Sequence, residues 1–270
     1  MRKRILAFIL AVILLLGIVV GAGTYFTNKS SGGKTAADEK EDKINNAYNT
    51  VTLMLSENDY KSARAAAEKC LGLITRDDHP DIYADLYLKL ACIDAIEGNN
   101  EDALKNADTA LEVDETLSDA YLLKAGIESD RGNTEKAIVQ LKQYLKYSDD
   151  EASYRDLGIW QMQTEKYSEA VESFTTYIEK TGKTDDATYY RGICRLALNE
   201  YDSAIADFDI CYGAGINKDD SLFNRALCKL LLEQYEDAAE DYELCVENGI
   251  NPEESGNYLE LCRQYMAAKS

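Results

Sequence analysis

Two consecutive 34-residue stretches, DDATYYRGICRLALNEYDSAIADFDICYGAGINK (185–218) and DDSLFNRALCKLLLEQYEDAAEDYELCVENGINP (219–252), match nearly position for position. A unit of this length that recurs buries its apolar face against its neighbours, so the chain is confined to a stacked-repeat architecture rather than a globule around one core. Counting positions from the start of each repeat, Gly192 and Ala226 share position 8, Tyr201 and Tyr235 position 17, Ala204 and Ala238 position 20, and Phe208 and Tyr242 position 24. Stepping backwards in this register gives earlier repeats beginning at 151, 118, 84 and near 44, with successive steps of 34, 33, 34 and 40.

Position 20 is alanine in all six repeats (Ala63, Ala103, Ala137, Ala170, Ala204, Ala238), and position 8 is small throughout (Val51, Ala91, Ala125, Gly158, Gly192, Ala226). Between them lie turn-forming pairs such as Asn58-Asp59, Gly98-Asn99, Gly132-Asn133 and Asn199-Glu200. This pattern resembles the tetratricopeptide repeat over residues 44–270. The resemblance implies an all-α fold: an α-solenoid of about six helix-turn-helix repeats starting near 44, 84, 118, 151, 185 and 219, with small residues letting the two helices of each repeat approach closely. It also implies binding of a protein or peptide on the concave surface. The proline that usually closes the repeat is missing from its usual place, the chain having only Pro80 and Pro252. The family's clamp for C-terminal carboxylates uses Lys and Asn on the groove face, where this chain has Tyr48 and Thr52, then Leu88 and Cys92, so that specificity is not implied.

Ahead of the repeats, residues 5–26 (ILAFILAVILLLGIVVGAGTYF) carry no charge. As a helix they would extend roughly 33 Å, enough for a hydrocarbon core of about 30 Å. Arg2, Lys3 and Arg4 precede the run, so the expectation is a single N-terminal transmembrane helix with a cytoplasmic N-terminus and an exported repeat domain. A signal peptide cleaved near Val20, Gly21 and Ala22 is the alternative, leaving a secreted protein. Residues 27–43 (TNKSSGGKTAADEKEDK) read as a flexible spacer. At the other end, 253–267 fits only the first helix of a seventh repeat and reads as the solvating cap.

Composition narrows function further. The net charge is -20, and without Arg2, Lys3 and Arg4 the body has 26 basic against 49 acidic residues. Such a body repels phosphate backbones, so no nucleic-acid partner is expected. The sole histidine, His79, lies in the Asp-Asp-His-Pro loop that lengthens the first step to 40; beside Asp77 and Asp78 it lacks a fourth ligand, so no metal is expected. No nucleophile stands beside an oriented base and no phosphate-cradling loop occurs, so neither catalysis nor a cofactor is expected.

Five of the seven cysteines, Cys194, Cys211, Cys228, Cys245 and Cys262, are spaced by 17. In an exported protein that invites disulfides. The offset between antiparallel neighbours, about 10 Å for Cys194 and Cys211, exceeds what a disulfide spans, and buried free thiols are the better expectation. Arg191 and Asp207, and again Arg225 and Asp241, lie 16 apart and symmetric about their turns, which predicts an ion pair across each hairpin.

The binding surface expected from the pattern is a stripe on the first helices of the last three repeats. Arg155, Ile159 and Met162 are spaced i, i+4, i+7, as are Tyr189, Ile193, Leu196 and Phe223, Leu227, Leu230, so each trio shares one helix face. As a groove it would use Tyr189 and Phe223 as aromatic anchors with Arg155 at the edge; as core it would pack against the second helices or under the C-terminal helix. The function expected is a membrane-anchored extracytoplasmic scaffold for a protein or peptide partner, with a self-associating envelope element as the alternative.

Overall fold

A computed structural model describes residues 35–269, and among these residues the regular elements are thirteen α-helices. The first begins within the stretch expected to be spacer. The Thr35 hydroxyl accepts from the Asp38 N–H at 3.2 Å and the Asp38 carboxylate accepts from the Thr35 N–H at 2.8 Å. This reciprocal box, followed by helix-forming residues with acids near the positive end of the helix dipole, starts α1 at Ala36 and corrects the spacer boundary of 43. The apolar run 5–26 lies outside the described residues, and no helix among those described is long and apolar enough to cross a membrane.

The helices fall into two compact units divided between Asp149 and Asp150. The N-terminal unit holds α1 (Ala36–Ser56), α2 (Tyr60–Leu71), α3 (Pro80–Glu97), α4 (Asn100–Val113), α5 (Ser118–Asp130) and α6 (Thr134–Tyr147). In the C-terminal unit are α7 (Glu151–Gln163), α8 (Tyr167–Thr181), α9 (Asp186–Ala197), α10 (Tyr201–Ala214), α11 (Lys218–Leu231), α12 (Tyr235–Glu247) and α13 (Pro252–Lys269). Successive pairs are the hairpins of the six repeats, and α13 is the additional C-terminal helix. Pro80 opens α3, where its missing N–H costs no hydrogen bond.

Every turn inside a hairpin is made the same way. Position 15 is left-handed in all six repeats: Asn58, Gly98, Gly132, Glu165, Asn199 and Glu233. The next N–H then reaches back to the position-11 carbonyl, as from Asn99 to Asp94 at 2.8 Å and from Glu200 to Arg195 at 2.8 Å. This satisfies a carbonyl at the end of the first helix and reverses the chain.

The six position-20 alanines are fully buried, and so are the position-8 residues. A Cβ placed on Gly158 would lie 2.7 Å from the Phe174 ring, and one on Gly192 2.8 Å from the Phe208 ring. Glycine at position 8 is therefore what lets a phenylalanine at position 24 fill the hairpin. All seven cysteines are free and buried, and burial pushes their thiols up, those of Cys92, Cys194 and Cys228 to about 12. They serve as small packing residues.

Candidate functional site

The stripe is set by the first helices of the C-terminal unit, α7, α9 and α11. All nine of its residues are half-buried. Ile159 and Met162 pack on the cluster of Ala170, Phe174, Tyr177, Ala187 and Cys194; Tyr189, Ile193 and Leu196 pack on Ala204, Phe208 and Cys228. One flank of each of these five side chains thus closes a hairpin core while the other remains accessible.

Two of the expected anchors take other roles. Phe223 sits between Tyr242 and Tyr258, ring centres 5.9 and 6.2 Å away, because α13 folds over this end of α11. Arg155 does not offer a free charge: its guanidinium is held in a two-point fork by Asp186, Nε donating to Oδ1 at 3.0 Å and Nη2 to Oδ2. Tyr189 keeps an edge position, 5.9 Å from the rings of Phe208 and Tyr190, with its hydroxyl accepting from Asn224 Nδ2 at 3.3 Å. Burial and the adjacent Asp220 push its phenol up to about 12.

The register also carries residues that the stripe omitted. Adding 34 to Ile193 and Leu227 gives Leu261 on α13, so position 9 is apolar at four consecutive first helices: Ile159, Ile193, Leu227, Leu261. Position 13 adds Leu231 and Tyr265, which are 47% and 45% exposed, and Leu261 is 36% exposed. Reading α13 only as a solvating cap had hidden them. Its aromatic attachment is firm: Tyr235 and Tyr265 stack at 4.8 Å, and Tyr242 and Tyr258 at 5.3 Å.

Behind this face lies a polar ladder. Arg191 binds Asp207 through Nε at 3.0 Å and Nη2 at 2.7 Å, and Arg195 adds a bond at 2.8 Å to the same carboxylate. One repeat on, Arg225 binds Asp241 at 2.8 and 2.6 Å, with Lys229 at 2.7 Å. These are the pairs predicted from the spacing of 16. Two of the three arginines also reach the preceding repeat, Arg191 to Thr175 at 3.2 Å and Arg225 to Asp209 at 2.7 Å. Burial would lower the Arg225 guanidinium, but its bonds to Asp241 and Asp209 outweigh that and raise it overall.

His79 lies 3.7 Å from Glu41, and among the described residues no group of three His, Cys, Asp or Glu side chains could hold a metal ion.

Two family models of the tetratricopeptide repeat match the chain, over residues 155–218 and 219–248. Both matches lie in the C-terminal unit. Solved structures extend the likeness of fold. YrrB, described as a TPR protein with an unusual peptide-binding site, superposes with a TM-score of 0.54 at 20% identity over 68% of this chain and 93% of that one. A chain of the Naa15/Naa10 assembly bound to HypK-THB gives 0.63 at 21% identity, covering 84% of this chain but only 35% of that larger one. MamA gives 0.50 at 19% identity over 64% of this chain and 92% of its own. No curated protein matches the chain.

Proposed function

We propose that the protein is a non-catalytic scaffold, anchored to a membrane by residues 5–26, whose tetratricopeptide repeats lie outside the cytoplasm and bind a protein or peptide partner. The observation that carries the binding role is the apolar column Ile159, Ile193, Leu227 and Leu261, flanked by the exposed Leu231 and Tyr265. Hairpin packing accounts for the buried flanks of this face and leaves its outer flank for a partner. The uncharged length of 5–26 behind Arg2, Lys3 and Arg4 supports the anchor and its orientation.

A photo-crosslinking amino acid placed at Leu227, Leu231 or Leu261 in the native membrane should capture the same partner. Placed at Ile210, which is 47% exposed on a second helix, it should not. Equal capture from Ile210 would refute the face, and protection of the repeats from protease added outside intact spheroplasts would refute the topology.

A further inference from the structure

This inference rests on the binding role proposed above and specifies the partner's chemistry. Position 5 of one repeat bonds to position 2 of the next in two places, with different residues. In the N-terminal unit one such pair is Tyr48 and Asp85, where the phenol donates to Asp85 Oδ2 at 2.7 Å; the other, Leu88 and Asp119, has no ring and no such bond. Lys89, at position 6, gives its ammonium to both Asp85 oxygens at 2.6 and 2.7 Å and lies 5.7 Å from the centre of the Tyr48 ring. In the C-terminal unit the first such pair is Arg155 and Asp186, where position 5 itself supplies the cation. In both bonded pairs, the acid at position 2 is neutralised from within the chain.

The next pair is Tyr189 and Asp220, the same ring and acid types as Tyr48 and Asp85. Here position 6 is Asn224, which spends its amide on the Tyr189 hydroxyl and brings no charge. Asp220 is exposed in the first turn of α11 and makes no ion pair among the described residues. The five basic side chains of these two repeats make other contacts: Arg191 and Arg195 on Asp207, Arg225 on Asp209 and Asp241, Lys229 on Asp241, and Lys218 over the Tyr212 ring at 5.2 Å.

We propose that Tyr189 and Asp220 receive an arginine or lysine side chain of the partner, whose apolar residues lie on Ile193, Leu227 and Leu231. The partner segment is therefore basic and amphipathic. Its cation makes a charge-assisted bond to Asp220 and lies against the Tyr189 ring, as Lys89 does on Asp85 and Tyr48.

The test uses the full chain in detergent micelles and a short dye-labelled peptide of leucine and alanine carrying two arginines, with a twin carrying citrulline instead. By fluorescence anisotropy at low salt the arginine peptide should bind about tenfold tighter than its twin. That preference should vanish in Asp220→Asn. It should also vanish in Asn224→Lys, which supplies from the chain the cation that Lys89 supplies at Asp85. It should persist in Asp220→Glu and in Asp237→Asn, an acid in the first turn of another helix. Because Asn224→Lys retains Asp220, a folding defect in Asp220→Asn does not decide the matter. A preference that survives both Asp220→Asn and Asn224→Lys, or that falls equally in Asp237→Asn, overturns the proposal. Equal binding of both peptides, lost on Leu231→Glu, overturns the cation site and keeps the groove. If neither peptide binds, the site and the groove fall together.

Discussion

Replacing Gly158 by alanine should destabilise the protein although alanine is the better helix former. In the interior of a helix the change alone favours folding by about 1 kcal/mol. At Gly158, however, the new methyl would stand 2.7, 2.8 and 2.9 Å from three atoms of the Phe174 ring, against an ordinary carbon contact of about 3.5–4 Å. Phe174 is fully buried, and a rigid ring cannot swing aside as the tip of a flexible chain would. Overpacking of this kind costs about 1–3 kcal/mol, and a shortfall approaching an ångström belongs in the upper part of that range. The net expectation is a loss of about 1–2 kcal/mol. Gly256, inside α13, has nothing within 4 Å of the same methyl position, so Gly256→Ala should raise stability by up to about 1 kcal/mol. Urea unfolding followed by far-ultraviolet circular dichroism measures both. Adding Phe174→Leu to Gly158→Ala should recover part of the loss, although Phe174→Leu alone is destabilising. A stabilised Gly158→Ala, or strict additivity in the double variant, would refute the argument that position 8 is small because position 24 is large.

Four further outcomes follow from the same structure. Asp207→Ala leaves Arg191 and Arg195 without their shared carboxylate and should cost about 3 kcal/mol in urea unfolding; the triple change Arg191→Leu, Arg195→Gln, Asp207→Ser, which copies Leu157, Gln161 and Ser173 of the preceding repeat, should recover most of it. Ala204→Leu should overpack the fifth hairpin and lower stability by about 1–3 kcal/mol. All seven thiols should resist alkylation in the native protein and react in denaturant without reductant, whereas thiols released only by reductant would show disulfides. Because folding raises the thiols of Cys92, Cys194 and Cys228 from 9.0 to about 12, the folded state retains protons that the unfolded chain loses, so stability is intact below about pH 9 and falls as pH rises toward about 12. Urea midpoints that did not fall between those limits would contradict this.

How much of this was legible in the sequence depended on whether a contact stays within one repeat. Arg191–Asp207 and Arg225–Asp241 were readable because a spacing of 16 symmetric about a turn faces two residues across one hairpin whatever the neighbours do. The fork between Arg155 and Asp186 was not, because it joins two repeats and depends on the pitch between hairpins, which no residue spacing states. Tyr48, Asp85 and Lys89 were hidden further by the lengthened first step, which puts 37 residues between the ring and the acid where Tyr189 and Asp220 have 31. The start of α1 turned on a single local exchange between Thr35 and Asp38 in a stretch whose composition reads as spacer. Leu261 and Tyr265 were available from the 34-residue step and were passed over because α13 read as a cap, while Leu231, four residues after Leu227, fell just beyond a trio that ended at Leu230.

The ladder also bears on the charge of the candidate face. An arginine at position 7 stands 16 residues after one acceptor and 16 before another, so Arg225 joins Asp209 to Asp241 and Arg191 joins Thr175 to Asp207. The third repeat keeps the backward half alone: Lys124 pairs with Asp108, while Gln140, 16 residues ahead, has a buried Oε1 without a hydrogen-bond partner among the described residues. A guanidinium offers five donors in a fixed planar fork that matches a carboxylate at two points, which fits arginine at the two repeats whose forward acceptor is a carboxylate. The basic side chains drawn into these bridges are withdrawn from the face above them. From residue 150 onward acids outnumber bases more than two to one, so what remains exposed there is negative. Asp220 is thereby left exposed without an ion pair among the described residues, and that is the charge the proposed basic partner segment would meet.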